Sequence, residues 1–401
     1  MTQPTLGLRQ NGVQFSLLVL INAFVGGMVG LERAILPELA EQEFALAAKS
    51  AILSFIAVFG FTKAVSNYYA GVLANRVGRK NLLLIGWVIG APVPLMLMFA
   101  PSWGWVIAAN VLLGVNQGLA WSSTVVMKID LVGEKQRGLA MGFNESAGYL
   151  AVGLVALLTG WLAATYGLRP VPFYLGIGFV IAGFFCTWLF VKDTAGHVHA
   201  ETQHSNRPML TNIFRDTSYK HPNLGSITQA GVINNLNDGM MWGLFPLLLV
   251  SKGFTIEQTA ILVAIYPSVW GLGQLFTGAA ADKLPKKHIL FGGMLGQAIA
   301  IVGFPLASSF TTIAAISILL GLGTAAVYPT FLAAIADNTH PQQRASSIGI
   351  FRLWRDLGYV FGAILTGLLA DVVSMDAAIY SVAALTFFSS ILIKLRMNTD
   401  V

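Results

Sequence analysis

Twelve apolar runs, each long enough to cross a bilayer, dominate this chain. They fall near residues 14–40, 48–73, 81–99, 104–128, 137–164 and 172–191, and again near 223–250, 257–281, 288–307, 311–335, 344–370 and 377–395. A hydrocarbon core takes about 20 apolar residues per helical crossing. Within it, every backbone polar group needs a partner inside the protein. The runs are continuous rather than alternating, which selects helices over a barrel. Composition agrees: of 401 residues 55% are hydrophobic and 10% charged, with mean hydropathy +0.70, values foreign to soluble domains. The expected fold is an all-α integral membrane protein of twelve transmembrane helices.

One long polar stretch, 192–222, interrupts the runs. It divides the chain into a first six-helix bundle over 1–191, a linker over 192–222 and a second bundle over 223–401. With an even number of spans both termini share one side. That side receives Arg9, Arg76, Arg79, Lys80, Lys135, Arg137, Lys192, Arg207, Arg215, Lys220, Lys283, Lys286, Lys287, Arg344, Lys394 and Arg396, whereas the other receives Lys49, Arg169 and Lys252. The positive-inside rule then makes the termini and linker cytoplasmic, and a bacterial inner membrane is the expected location. The net charge of +6 sits at helix ends and does not imply nucleic acid. The single Cys186 excludes an intramolecular disulfide. Met1 to Asn11 is short and polar, and the first apolar run is too long for a signal h-region, so no cleaved leader is expected.

The two halves repeat. Gly71-Val72-Leu73-Ala74-Asn75-Arg76-Val77-Gly78-Arg79-Lys80 is a tight basic hairpin between two apolar runs, and a weaker copy, Gly278-Ala279-Ala280-Ala281-Asp282-Lys283-Leu284-Pro285-Lys286-Lys287, follows 207 positions later. At the same offset Gly114 maps to Gly321, Arg137 to Arg344, and Gly142 to Gly349. Gly30 and Pro37 recur as Gly239 and Pro246, and Gly148-Tyr149 as Gly358-Tyr359, after small slips. A fixed internal offset over half a chain marks a duplicated structure, which in a membrane protein points to two bundles related by pseudo-symmetry.

At these residues the chain resembles the major facilitator superfamily. The first hairpin is similar to that family's signature between helices 2 and 3, Gly-x-x-x-Asp-Arg-x-Gly-Arg-Arg/Lys: Gly71, Arg76, Gly78, Arg79 and Lys80 fit, and Asn75 stands for the Asp. Asp282 supplies that acid in the second copy. The resemblance covers essentially the whole chain and says little about substrate. Gly114-Val115-Asn116-Gln117-Gly118 resembles the family's Arg-x-x-Gln-Gly, with glycine where a coupling arginine belongs. The fifth-span signature of drug antiporters is partial, with Gly148 and Gly153 but no proline.

Ionisable residues at lipid depth are costly and tend to face a cavity or a partner. Here they are Glu32 and Arg33 in the first span, Lys63 in the second, Glu145 in the fifth, Asp238 in the seventh, and Arg352, Arg355 and Asp356 in the eleventh. Glu145 and Asp238 are the candidates for carrying protons. Glu32, Arg33, Asn116, Gln117, Trp121, Asn234, Asp238, Trp242 and Tyr328 are the candidates for contacting solute, since the resemblance makes spans 1, 4, 7 and 10 line the central path. Trp121 and Tyr328 occupy repeat-equivalent positions. Lys63, Arg352, Arg355 and Asp356, with Asn75, Arg76, Arg79 and Asp282, are the candidates for gating. Lys63 is expected to meet Asp356 across the bundles; the alternative is an i, i+4 pair between Arg352 and Asp356. The linker residues His197, His199 and His204 could hold a metal or sense pH, or simply be solvated.

The reading is a secondary transporter of a small polar solute, working by alternating access about a midplane site. Proton coupling is expected from the buried carboxylates, with a uniporter left open, and the resemblance favours export. The expected partners are the solute, protons and the lipid bilayer around a monomer; no cofactor or metal is expected. The alternative is a membrane sensor or assembly partner that keeps the fold without transport. An enzyme is not expected, because no Ser/His/Asp set, metal cluster or phosphate loop is present.

Overall fold

The computed structural model describes residues 5–33, 35–45, 54–204, 207–254 and 256–398, and the regular elements among them are all helical. The first half contributes α1 (Gly12–Arg33), α2 (Leu36–Gln42), α3 (Ser54–Val77), α4 (Arg79–Gly90), α5 (Pro92–Met98), α6 (Trp103–Val132), α7 (Arg137–Tyr166) and α8 (Tyr174–Phe190). The polar stretch holds α9 (Ala195–His204). The second half contributes α10 (Pro222–Ser251), α11 (Ile256–Ala281), α12 (Lys286–Leu306), α13 (Phe310–Asp337), α14 (Pro341–Val372) and α15 (Met375–Arg396).

Proline punctuates two of the runs. It lacks a backbone N–H and is tolerated at the first turn of a helix. The first run therefore ends α1 and restarts as α2 with a proline in its opening positions, and the third run breaks into α4 and α5 at Pro92. Nine of the described helical stretches are long and apolar enough to cross a membrane by length and composition alone. The long helices outside that set are α3, α6 and α10, which carry Lys63, Asn116 with Gln117 and Lys128, and Asn234 with Asp238. Their polar residues lower the local hydropathy. Lys49 lies outside the described residues.

The chain forms two compact units: residues 1–133 with 144–205, and residues 134–143 with 206–401. This partition differs from the expected one in two places. The polar stretch is shared, its first part going with the first unit and the rest with the second, and the opening turns of α7 belong to the second unit. Nor is that stretch a plain loop, since α9 and helical turns over 213–220 occupy much of it.

Inside each unit the same contacts recur. In the first, α6 packs against α3 and α4, and α1 against α8; in the second, α13 packs against α11 and α12, and α10 against α15. Small residues let these backbones approach. A Cβ at Gly114 would lie 2.9 Å from the carbonyl oxygen of Phe59, and one at Gly321 would lie 2.9 Å from that of Tyr266. Both residues of the second pair sit 207 positions beyond those of the first, so the duplication read from sequence is also a duplication of close helix crossings.

Gly114→Val and Gly321→Val should each destabilise the protein by about 1–3 kcal/mol through overpacking, seen as a lower thermal unfolding midpoint in detergent. Gly153→Ala and Gly292→Ala, whose added Cβ meets nothing within 4 Å, should not lower it.

Candidate functional site

The first unit has a polar centre built on α7 and α6. Glu145 is fully buried. Its Oε1 accepts hydrogen bonds from Trp121 Nε1 at 3.2 Å and Asn144 Nδ2 at 2.7 Å, while Oε2 has no hydrogen-bond partner. Asn144 is itself anchored: its carbonyl accepts from Asn22 Nδ2 at 2.7 Å and its Oδ1 from Lys128 Nζ at 2.6 Å. Thr124 donates to Asn22 Oδ1 at 2.8 Å, closing the chain of bonds between α1 and α6. Gly148 makes the arrangement possible, since a Cβ there would stand 2.4 Å from the Trp121 indole. Tyr149 tilts against the same indole, centroids 5.3 Å apart.

Cations line the aromatic faces of this unit. The Lys63 ammonium lies 5.4 Å from the Trp121 ring and 5.7 Å from Phe59, and the Arg33 guanidinium lies 5.5 Å from Phe59, distances at which a ring quadrupole attracts a cation. Adjacent residues on a helix diverge by about 100°, so Glu32 points elsewhere. It is buried beside the Asn110 amide.

The second unit has its own centre on α10, α11 and α14. Asp238 is fully buried; Oδ1 accepts a short hydrogen bond from the Tyr266 hydroxyl, and Oδ2 accepts one from Tyr359 at 3.5 Å. Tyr266 also lies 3.2 Å from the Thr324 hydroxyl. Its ring stacks on Trp270 at 5.9 Å, and Trp270 meets Tyr328 at 5.0 Å. The Arg355 guanidinium sits 5.0 Å from the Tyr328 ring. Trp121 and Tyr328, equivalent in the repeat, therefore each carry a cation on the ring.

Asp356 is held by its neighbour Arg355, through Nε at 2.8 Å and Nη2 at 2.7 Å, and by Asn235 at 3.4 Å. Arg355 and Asp356 thus pair as neighbours on α14. Arg352 is buried on the same helix. Lys63 belongs to the first unit and Asp356 to the second.

Several candidates brace helices. Asn116 Nδ2 donates to the Gly86 carbonyl at 2.9 Å, and Gln117 Nε2 to that of Val25 at 2.8 Å, tying α6 to α4 and α1. Asn234 accepts from Gln297 of α12 at 3.0 Å. Trp242 is 50% exposed on α10. His197 Nε2 lies 3.2 Å from Asn11 Oδ1, and burial pushes this imidazole below the usual histidine range; His199 is exposed, and nothing is described of the His204 side chain. Among the described residues no group of three or more His, Cys, Asp or Glu is placed to hold a metal.

The basic hairpins form ion pairs that repeat. Arg79 Nε meets Asp130 Oδ2 at 3.1 Å, and Lys286 Nζ meets Asp337 Oδ2 at 2.8 Å; both partners of the second pair lie 207 positions beyond the first. The pairs are completed differently. Thr194 donates to Asp130 at 2.8 Å, whereas Arg137 donates to Asp337 at 2.6 Å. In the second unit Asp282 accepts from the backbone N–H groups of Gly138 and Leu139 at 2.7 and 2.8 Å, in the opening turn of α7. A carboxylate is favoured there by unpaired amides and the helix dipole, although burial pushes the Asp282 carboxyl above its ordinary range. Asn75 and Arg76 lie at the exposed end of α3. Gly78 has φ +89°, a left-handed turn that glycine accepts without strain, and Lys80 N–H binds Asp193 at 2.9 Å just beyond it.

Buried carboxylates therefore come in two kinds. Asp130, Asp337 and Asp356 touch a cation directly. Glu145 and Asp238 are bonded to indole, amide and phenol groups, and Glu32 lies beside the Asn110 amide. Sequence reasoning missed Lys128, Asp130 and Tyr266. The first two fall where the fourth apolar run seemed to end, though Asp130 and Asp337 share the offset of the hairpins. Tyr266 had no such signal.

A model described as Major Facilitator Superfamily matches residues 15–222 and 227–400. The multidrug resistance protein MdtG of Proteus mirabilis is 27% identical over 354 residues, covering 84% of this chain and 83% of the relative. The proton-coupled antiporter flippase LtaA of Staphylococcus saprophyticus is 22% identical over 347 residues, 83% of this chain and 81% of its own. Among solved structures, the human organic anion transporter MFSD10 (TETRAN) superposes with a TM-score of 0.76 at 14% identity, over 94% of this chain and 98% of that one. That likeness speaks to the fold.

Asp337→Asn removes the anion shared by Arg137 and Lys286. Taking this anion from the fully buried Arg137 should cost about 3–5 kcal/mol, measured as loss of thermal stability. Asp371→Asn, at an exposed position, should stay within about 0.5 kcal/mol.

Proposed function

This chain belongs to the Major Facilitator Superfamily, and we propose that it is a proton-coupled exporter of a small solute, working by alternating access. It is a multi-pass membrane transporter rather than an enzyme. The observation that carries the coupling is the chemistry around Glu145 and Asp238. Both are fully buried in spans, and their direct partners among the described residues are neutral donors. Such a carboxyl can gain or lose a proton without breaking a direct ion pair, whereas Asp337 cannot. Ionisable groups kept at this depth commonly serve ion pathways.

The solute we infer is small, with a flat or apolar body and a polar or charged group. Within the first unit Trp121 with Tyr149, and within the second Trp270 with Tyr266 and Tyr328, set aromatic rings beside carboxylates and cations. Aromatic walls with a few placed polar groups are the usual make-up of a small-molecule site. Export and antiport are favoured by the relatives, one named for multidrug resistance and one as a proton-coupled antiporter. Both termini are assigned to the cytoplasm of a bacterial inner membrane from the distribution of lysine and arginine.

The test uses proteoliposomes with an imposed pH gradient and the ethidium cation as probe. Glu145→Gln and Asp238→Asn should each reduce gradient-driven ethidium movement about five- to hundredfold, while exchange without a gradient persists. Undiminished gradient-driven movement in both variants would remove these residues as proton carriers.

A further inference from the structure

Lys128 has no place in the function argued so far, yet it is among the largest fully buried side chains in the protein. An ammonium has three donors and is poorly tolerated in a medium of low dielectric without an anion. Here its hydrogen bond goes to a neutral acceptor, Asn144 Oδ1, at 2.6 Å. The other end of the same amide, Nδ2, donates to Glu145 Oε1 at 2.7 Å. The order is cation, amide, carboxylate, with the amide dipole aligned so that each end faces the charge it favours.

We propose that Lys128 is the charge-balancing partner of Glu145, acting through the Asn144 amide to set the pH at which this site exchanges its proton. The proposal rests on the reading of Glu145 as a proton carrier and assigns its counter-charge. Lys128 touches neither solute nor the exchanging oxygen, so it is a positioning residue. When Glu145 is ionised the two charges balance across the amide. When Glu145 takes a proton, a buried ammonium is left with one neutral acceptor, and the charge states of the pair become coupled. The bridge is rigid: Asn22 of α1 fixes the Asn144 carbonyl, and Thr124 of α6 fixes Asn22.

Other charges near Glu145 within this unit engage other groups. Helix α3 contributes Lys63, on the Trp121 ring, and α1 contributes the neutral Asn22. On α7 itself Tyr149 packs on Trp121. Asp130, two residues beyond Lys128, is held by Arg79 and Thr194. A direct Lys128–Glu145 salt bridge would fix the carboxylate as charged. Placing an amide between them keeps the cation's influence and leaves Oε2 unbonded.

The experiment measures gradient-driven ethidium transport by the full chain in proteoliposomes across a range of pH. Lys128→Met should move the pH profile of the initial rate toward alkaline values by about one unit, since a nearby cation no longer opposes protonation. Lys128→Arg, which keeps the charge, should hold the wild-type profile. Asn144→Ala, which keeps both charges and removes the bridge, should shift the profile in the same direction by less. An unshifted profile in Lys128→Met, or in Asn144→Ala should the former not fold, overturns the proposal. A second arm needs no transport. Glu145→Gln should lower the thermal unfolding midpoint by stranding the ammonium, and Lys128→Met with Glu145→Gln should restore it; absence of that rescue also overturns it. Should the wild type move no ethidium while the rescue holds, the proton-transport reading fails and the charge pairing stands.

Discussion

What a low-dielectric interior demands of a charge governs this molecule. A buried ion without compensation is costly, so each must be paired, neutralised or given a dense set of dipoles. Asp130 and Asp337 follow the first course, with Arg79 in one unit and with Lys286 and Arg137 in the other. Glu145 and Asp238 follow the third, with donors from Trp121, Asn144, Tyr266 and Tyr359. The first arrangement holds helix ends in place. The second leaves carboxylates whose direct partners are neutral donors.

The duplication gives the same geometry twice and then departs from it. Gly114 and Gly321 make the same close crossing, and Trp121 and Tyr328 each carry a cation on the ring. The Arg79–Asp130 pair is completed by a hydroxyl and its counterpart by a second cation. The carboxylate centres differ more: Glu145 sits on α7, whereas Asp238 sits on α10. The two copies thus share scaffold contacts while their buried polar groups differ.

Much of the fold was legible because hydropathy and glycine spacing report directly on spans and close crossings. The twelve apolar runs coincide with the long helices to within several residues, and the breaks lie at prolines. The site was legible only in outline. A charged residue in an apolar run announces a cost but not its remedy, so Glu145 and Asp238 were visible while the indole and phenol that satisfy them were not distinguishable from packing. Lys128 and Asp130 were lost for a related reason. Two charges two residues apart lower the local hydropathy and mimic the end of a span, although α6 continues to Val132 with both of them buried. Asn116 and Gln117 show the converse: polar and well placed in sequence, they turn their amides to neighbouring carbonyls.

The polar centre of the chain is built into the protein rather than strung across it. Thr194 enters the Arg79–Asp130 pair, Leu210 exchanges two hydrogen bonds with Gln343, and Ser218 accepts from Trp354. Any attempt to express the two halves as separate polypeptides must therefore cut between these attachments. Residues through Thr194 and α9 travel with the amino-terminal fragment, and Leu210 onward with the carboxy-terminal one. A cut near residue 191 or 222 would strip one fragment further, since residues 134–143 of the second unit already travel with the amino-terminal fragment.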